Sequence, residues 1–146
     1  MAKWTAYPYD LFDLDAATVK KQWARLHAGD AEPLPKEAKV LEAWVLFHRG
    51  EFHKAFDAGL KAGGAGITAA NKAQAIYANY VEKSEKTKLA MFQEVAERAV
   101  AQQADEPKNP NAFYWQAYAL GRYSQGISVA KALTQGLGSK VKGAFE

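Results

Sequence analysis

The strongest constraint on the fold is a pattern that the chain repeats. Residues 44–55 read WVLFHRGEFHKA, and residues 115–126 read WQAYALGRYSQG. Each copy has a tryptophan, a glycine six residues later, and an aromatic residue two positions after that glycine. The copies lie 71 residues apart, and halfway between them Ala90 falls 35 residues after Ala55. A recurrence near 34 residues is typical of helix–turn–helix units that stack on one another.

The spacing of apolar residues predicts helices throughout the chain. Val40, Ala43, Trp44 and Phe47 form one apolar face at helical spacing, and Gly50 is expected to end that helix. No segment has the alternating pattern of a β-strand. We therefore predict an all-α fold.

Proline, glycine and capping residues divide the chain. Asp15 is expected to cap a helix that begins at Ala16, and the prolines before residue 36 mark a loop. Further breaks are expected at the glycine cluster 63–66 and at the loop 105–110. The predicted organisation is an N-terminal arm with a capping helix at 1–35, then helix pairs at about 36–66, 67–107 and 108–146 within a repeat region 36–146.

The turn from Gly50 to Ala55 has the order glycine, acid, aromatic, two variable residues and alanine. It is similar to the junction between helices A and B of tetratricopeptide repeats. The middle copy departs from this pattern with Glu85 in place of glycine, and the last copy has Gly126 in place of alanine. The resemblance implies a right-handed α–α superhelix of about three helix pairs behind an N-terminal capping helix.

Residues 111–146 resemble a narrower group, the bacterial relatives of the regulator-of-microtubule-dynamics proteins and the TRAP-transporter-associated tetratricopeptide protein. The resemblance implies a connecting helix at Ile127–Gln135 and a helix B that begins at Ser139–Glu146. The 71-residue offset instead places the start of helix B near Arg122. We favour the connector because glycines follow it. A further repeat usually follows in the group, so we expect this chain to be part of a longer protein.

The repeat pattern also predicts which residues are structural. Ala55 is the small residue that lets two helices approach closely. The expected core positions are Trp44, Gly50, Phe52, Ala55, Ala90 and Trp115.

No constellation of catalytic or metal-binding residues emerges from the sequence. The chain has no cysteine and three histidines, of which His48 and His53 are five residues apart rather than the four of a helical metal pair. Asp13 and Asp15 lack the glycine and glutamate of a calcium loop. No serine occupies a nucleophile elbow. We therefore expect structural histidines, no metal, no cofactor and no enzymatic activity.

Charge and hydropathy bear on partners and location. The net charge is +3, and the basic residues of the last third are spread out rather than clustered as in nucleic-acid binders. No window is apolar enough to span a membrane. The first twenty residues contain three aspartates and no long apolar run. We expect a cytoplasmic protein that binds neither nucleic acid nor membranes.

The aromatic residues of the repeat region suggest a binding surface. In helical repeats the A helices line a concave groove, and tyrosine and arginine dominate interface energetics. The function expected is a non-catalytic protein-interaction or scaffold module that holds a partner segment in this groove. The alternative is an accessory protein that binds a small molecule in an aromatic pocket, and core packing is the competing role for each tyrosine. The candidate groove residues are Tyr77, Asn79, Tyr80, Tyr114, Gln116, Tyr118 and Arg122.

Overall fold

Short loops join seven helices in the computed structural model, which describes residues 4–8 and 11–137. No strand occurs in that part of the chain, so the prediction of an all-α fold is confirmed. The helices are α1 (Ala16–Lys21), α2 (Trp23–Leu26), α3 (Ala38–Arg49), α4 (Phe52–Ala62), α5 (Gly66–Tyr80), α6 (Glu85–Asp105) and α7 (Pro110–Leu137).

The helices pack chiefly on their neighbours in sequence. From α3 onward each helix contacts the next one, and α1 packs against α3. Contacts also join α3 to α5 and α5 to α7. The helices α3, α5 and α7 therefore lie side by side, whereas α4 and α6 each pack on the helix before and the helix after.

Local signals at the helix ends explain where several helices begin and end. The Asp15 carboxylate accepts a hydrogen bond from the Thr18 backbone N–H at 2.8 Å and caps α1, as predicted. Gly50 ends α3 in the left-handed conformation, with φ 92°, which also agrees with the sequence analysis. Ser84 caps α6 by accepting from the Thr87 N–H.

Two hydrophobic clusters form the core. One joins α1, α2 and α3 around Val19, Trp23 and Trp44. The larger one joins α4 to α7 and includes Phe56 and Trp115. Burying a large apolar side chain stabilises a fold by about 1.5–3 kcal/mol, so these aromatic residues hold the helices together.

The expected core positions are buried with one exception. Trp44, Gly50, Ala55 and Trp115 are buried, and Phe52 is partly buried against the larger cluster. Ala90 is exposed, so its assignment to the core is wrong. Ala90 lies on the outer side of α6. The inward face of this helix is formed by Met91, Phe92, Val95, Ala96 and Ala99.

A half-buried arginine links α5 to α6. The Arg98 guanidinium donates to Asn71 Oδ1 at 2.9 Å and to Gln74 Oε1 at 2.8 Å, and it lies 4.9 Å from the centroid of the Phe56 ring. Burial lowers the pKa of Arg98, with the charge of Glu94 acting in the opposite direction. The two amide oxygens therefore satisfy a cation that packing removes from water.

The N-terminal arm is anchored on the repeat region through Trp4. Its indole stacks on His53 at a centroid distance of 4.8 Å and on Tyr77 at 4.5 Å. The Thr5 backbone N–H donates to the Tyr77 hydroxyl at 2.6 Å. The arm therefore closes over the junction between the start of α4 and the end of α5.

The last helix differs from both expectations. α7 continues without a break from Pro110 to Leu137, so neither a helix start near Arg122 nor a separate connector at Ile127–Gln135 is correct. Gly126 lies inside α7 against the side chain of Leu89 on α6, whose Cδ2 would have to move to admit a Cβ at 2.5 Å. The expected helix start at Ser139–Glu146 lies outside the described residues.

None of the helices within residues 4–8 and 11–137 combines the length and the hydropathy that crossing a membrane requires.

Candidate functional site

An aromatic stripe on α7 forms one side of the candidate binding groove. Tyr114, Tyr118, Arg122 and Val129 follow one another at intervals of four, four and seven residues, so they share a face of the helix. The side chain of Tyr114 is 51 % exposed and that of Val129 55 %. This face is open to a partner along most of its length.

The side chains of the stripe interact with one another. The Tyr114 and Tyr118 rings are stacked with centroids 6.3 Å apart, and the Arg122 guanidinium lies 5.4 Å from the Tyr118 centroid. Burial raises the pKa of Tyr118, while Arg122 opposes that shift, and Tyr80 on α5 adds to it. The phenol of Tyr118 therefore stays a hydrogen-bond donor beside a cation.

Beside the stripe, α5, α6 and α7 line an open cavity of about 460 Å³. Leu89 and Phe92 of α6 supply an apolar wall, and Asn79 of α5 supplies an amide. The Phe92 ring is 6.5 Å from the Tyr118 ring, so the cavity and the stripe are continuous. Glu85 and Lys88 of α6, which pair with each other at 3.5 Å, also line it. The remaining lining residues belong to α7 and are Arg122, Gln125, Gly126, Val129 and Ala130.

Most of the predicted groove residues lie on this one surface. Asn79 and Arg122 line the cavity, while Tyr80, Tyr114 and Tyr118 surround it. Tyr80 is the most exposed large side chain of the set, at 73 %. The structure therefore brings together five of the seven candidate groove residues, and their role in binding stays a prediction.

Tyr77 and Gln116 do not belong to the groove. Tyr77 is 1 % exposed, and its hydroxyl accepts from the Thr5 N–H and donates to Glu82 Oε1 at 2.9 Å. Gln116 accepts a hydrogen bond from Gln103 Nε2 at 2.7 Å and faces α6. Both side chains hold helices or the arm in place, so their assignment as groove contacts is wrong.

Sequence reasoning missed a chain of polar contacts behind Trp44. The Lys72 ammonium donates to Asp30 Oδ2 at 2.8 Å, and Asp30 Oδ1 contacts His27 Nδ1 at 2.9 Å. His27 Nε2 is 2.9 Å from Nε2 of His48. Lys72 is 42 positions from Asp30, and His48 is 21 positions from His27. Only His27 and Asp30 are close in sequence, three positions apart, so local spacing could not have revealed the whole chain of contacts.

The surroundings set the protonation states in this chain of contacts. Burial raises the pKa of Asp30, but hydrogen bonds from His27 and Lys72 and the charge of Lys72 outweigh it and hold the pKa well below its usual range. Burial lowers the pKa of His48 to about 4, and the charges of His27 and Lys72 add to the effect. The arrangement fixes α2 and its following loop against α3 and α5.

The other candidate ligands stay apart. His53 stacks on Trp4 and lies 3.7 Å from Asp57, away from the pair formed by His27 and His48. Within the described ranges no group of three or more histidine, aspartate or glutamate side chains is placed to hold a metal ion. Asp10, part of the aspartate run, lies outside those ranges.

Comparisons with protein-family models, with curated proteins and with solved structures find no match to this chain.

Proposed function

We propose that the chain is a non-catalytic interaction module that holds a segment of a partner protein in the groove between α5, α6 and α7. The observation that carries this proposal is the exposure of Tyr80 and Tyr114, at 73 % and 51 %, around a cavity with a guanidinium on its wall. Tyrosine and arginine in such positions are typical anchors of protein interfaces. The cavity accepts one apolar side chain of the partner.

The charge of α7 specifies the partner further. This helix carries Arg122 and Lys131 and no acidic residue. Arg122 is exposed, and its guanidinium donates to Gln125 Oε1 at 3.5 Å. A carboxylate from the partner would bind this guanidinium without breaking an internal ion pair. The proposed ligand is therefore a peptide segment that combines an acidic residue with an apolar one.

The same proposal includes a tetratricopeptide-type superhelix. Support comes from the sequential packing of the helices, from the contacts of α3 with α5 and of α5 with α7, and from the starts of α4 and α6, which are 85 − 52 = 33 residues apart. An experimental structure in which the two pairs are not related by a right-handed rotation would contradict it. A cytoplasmic location likewise stays a prediction of the sequence.

A small molecule is the second candidate ligand of the groove. The volume of about 460 Å³ falls within the range of small-molecule sites, and the aromatic residues around it are typical of their linings. Native mass spectrometry of the protein isolated from its own organism separates the two ligands. A small bound mass would support this candidate, and a bound protein would support the first.

Selection of random peptides displayed on phage tests the proposed function directly. We expect the purified chain to select peptides that pair an acidic residue with an aromatic or aliphatic one. Arg122→Glu should reduce their binding at least about tenfold, because it replaces an attraction by a repulsion. The matched control is Lys131→Glu, which reverses an exposed charge on the same helix outside the cavity lining.

Circular dichroism and thermal melting should show that both variants keep the fold. Failure to select peptides, or binding that Arg122→Glu and Lys131→Glu affect equally, would overturn the assignment of this groove.

A further inference from the structure

A second cavity lies where three interhelical loops converge, away from the groove. The loop after α2, the residue before α5 and the loop after α6 enclose about 490 Å³. Hydrocarbon from Pro33, Ala65, Pro107 and Pro110 forms most of its lining. Ala31 at its edge has a positive φ of 52°, the one such residue other than glycine in the described chain.

Glu32 lines this cavity and has no cation to neutralise it. Its side chain is 4 % exposed, and Oε1 accepts a hydrogen bond from Asn111 Nδ2 at 2.7 Å. Oε2 receives no hydrogen bond from any residue that the structure describes. The nearby Lys72 ammonium is bound to Asp30 instead. A buried carboxylate with one open oxygen therefore faces the cavity.

Glu106 brings a second carboxylate to the same cavity. Its oxygens accept from Gln102 Nε2 at 3.2 Å and from Asn109 Nδ2 at 3.3 Å, and it forms no ion pair within the described part of the chain. Lys108 lies at the exposed rim. Two acidic side chains thus share an apolar cavity with neutral hydrogen-bond partners only.

The electrostatics agree with the geometry. Burial raises the pKa of Glu32 to about 7; the charges of Asp30 and Glu106 add to this, and the Asn111 hydrogen bond and the charge of Lys72 oppose it. The bare protein therefore holds this carboxyl partly protonated at neutral pH. A buried acid without a counter-charge and a non-glycine residue at positive φ both cost stability, and such costs concentrate at functional sites.

We propose that this cavity binds a small organic cation, a primary alkylammonium, whose N–H groups donate to Glu32 and Glu106 while its hydrocarbon chain lies on the proline walls. An ammonium group has three donors and a compact charge, which suits the open oxygen of one glutamate and the exposed side of the other. The apolar lining suits an alkyl chain. A divalent metal suits the site less well, because no group of three or more potential ligands occurs in the described chain.

Binding should depend on pH in a defined direction. The ammonium form of an alkylamine binds the carboxylate form of Glu32 and releases its proton. The ionised fraction of a group with a pKa of about 7 rises about tenfold between about pH 6 and about pH 8, so the affinity should rise by the same factor. Isothermal titration with n-butylammonium chloride measures this rise, and buffers of different ionisation enthalpy measure the proton release.

Variants of the intact chain locate the binding. Glu32→Gln keeps an acceptor for Asn111, and we expect it to abolish n-butylammonium binding together with the pH dependence. Glu106→Gln should weaken binding about tenfold. The matched control Glu97→Gln removes an exposed charge from α6 and should leave the affinity unchanged. Arg122→Glu in the groove should also have no effect, which separates this site from the proposed function.

Three results would overturn the assignment. One is the absence of n-butylammonium binding by the wild-type chain in the millimolar range, and a second is an affinity that Glu32→Gln and Glu97→Gln change equally. The third is equal binding of the neutral isostere 1-butanol or preferential binding of Mg²⁺, either of which would show that the cavity does not recognise an alkylammonium charge.

Discussion

The buried Glu32 and the half-buried His48 make opposite contributions to the pH dependence of stability. The pKa of Glu32 is raised from 4.5 to about 7, so its contribution is complete below 4.5 and is lost as the pH rises toward 7. The pKa of His48 is lowered from 6.5 to about 4, so its contribution is complete above 6.5 and is lost as the pH falls toward 4. Between 4.5 and 6.5 the two dependences oppose each other.

Single substitutions should reveal each dependence in that window. As the pH rises from about 4.5 to about 6.5, we expect His48→Gln to lose up to about 3 kcal/mol of stability through Glu32. Glu32→Gln should gain stability over the same range through His48, but by less, because solvent screens the partly exposed imidazole. Urea unfolding at a series of pH values measures both trends, with Glu97→Gln as a control that should follow the wild type. Parallel profiles for the two variants would contradict this account.

Adjacent aromatic residues on α7 should differ greatly in their effect on stability. Trp115 is 3 % exposed and packs in the larger cluster, whereas Tyr114 is 51 % exposed. We expect Trp115→Ala to cost about 3–5 kcal/mol and Tyr114→Ala to cost less than about 1 kcal/mol. Thermal or urea unfolding compares them. Equal losses would show that Tyr114 packs in the core and does not belong to an open groove.

The sequence alone could predict the burial of only some of these aromatic side chains. Helical spacing and the repeat of Trp44 at Trp115 indicated that these two tryptophans are buried, because large apolar residues on the inward face of a helix pack into the core. The burial of Tyr77 depends on Trp4, which is 73 residues away and packs on it from the arm. Contacts of that range leave no local pattern, and for the same reason the polar chain from Lys72 to His48 was missed.

At the scale of the helices, glycine has different roles at different interfaces. At Gly59 on α4, a Cβ would lie 2.5 Å from the backbone oxygen of Gly66 and 2.8 Å from the backbone nitrogen of Ala70, neither of which can move without shifting a helix. At Gly121 on α7, a Cβ would meet nothing within 4 Å. The first glycine allows α4 and α5 to approach, and the second only lowers the helix propensity of α7.

Alanine substitutions should therefore have opposite signs at these two positions. We expect Gly59→Ala to destabilise the fold by about 1–3 kcal/mol through overpacking, and Gly121→Ala to stabilise it by about 0.5–1 kcal/mol through helix propensity. Melting temperatures of the two variants and the wild type are sufficient to measure this. A stabilising Gly59→Ala would mean that α4 and α5 are not in close contact.

The positions of the first turns could be predicted, but the length of the last helix could not. Gly50 ends α3 because the turn requires a positive φ, and the starts of α4 and α6 keep the repeat period. The same glycine signal misled at Gly121, which the repeat aligns with Gly50 but which lies inside α7. A glycine within a helix and a glycine that ends a helix have the same appearance in a sequence.

At the scale of the whole molecule, the N-terminal arm connects the two hydrophobic clusters. Trp4 belongs to the larger cluster, although the arm leads directly into α1, which packs in the smaller one around Trp44. The Trp4 indole N–H is buried without a hydrogen-bond partner in the described chain, so the stability it provides comes from its ring contacts alone. Removing that ring should loosen one region of the molecule and not the whole.

We expect Trp4→Ala to lower stability by about 3–5 kcal/mol. Hydrogen exchange should speed up at the start of α4 and the end of α5, where His53 and Tyr77 lose their stacking partner, and at the Thr5 amide. Amides in the middle of α7 should change less, because Trp4 makes no ring contact with that helix among the described residues. Mass spectrometry of exchanged peptides resolves these regions. Uniform acceleration across all helices would show that the arm is part of a single cooperative core, and no acceleration would show that it does not pack on α4 and α5 in solution.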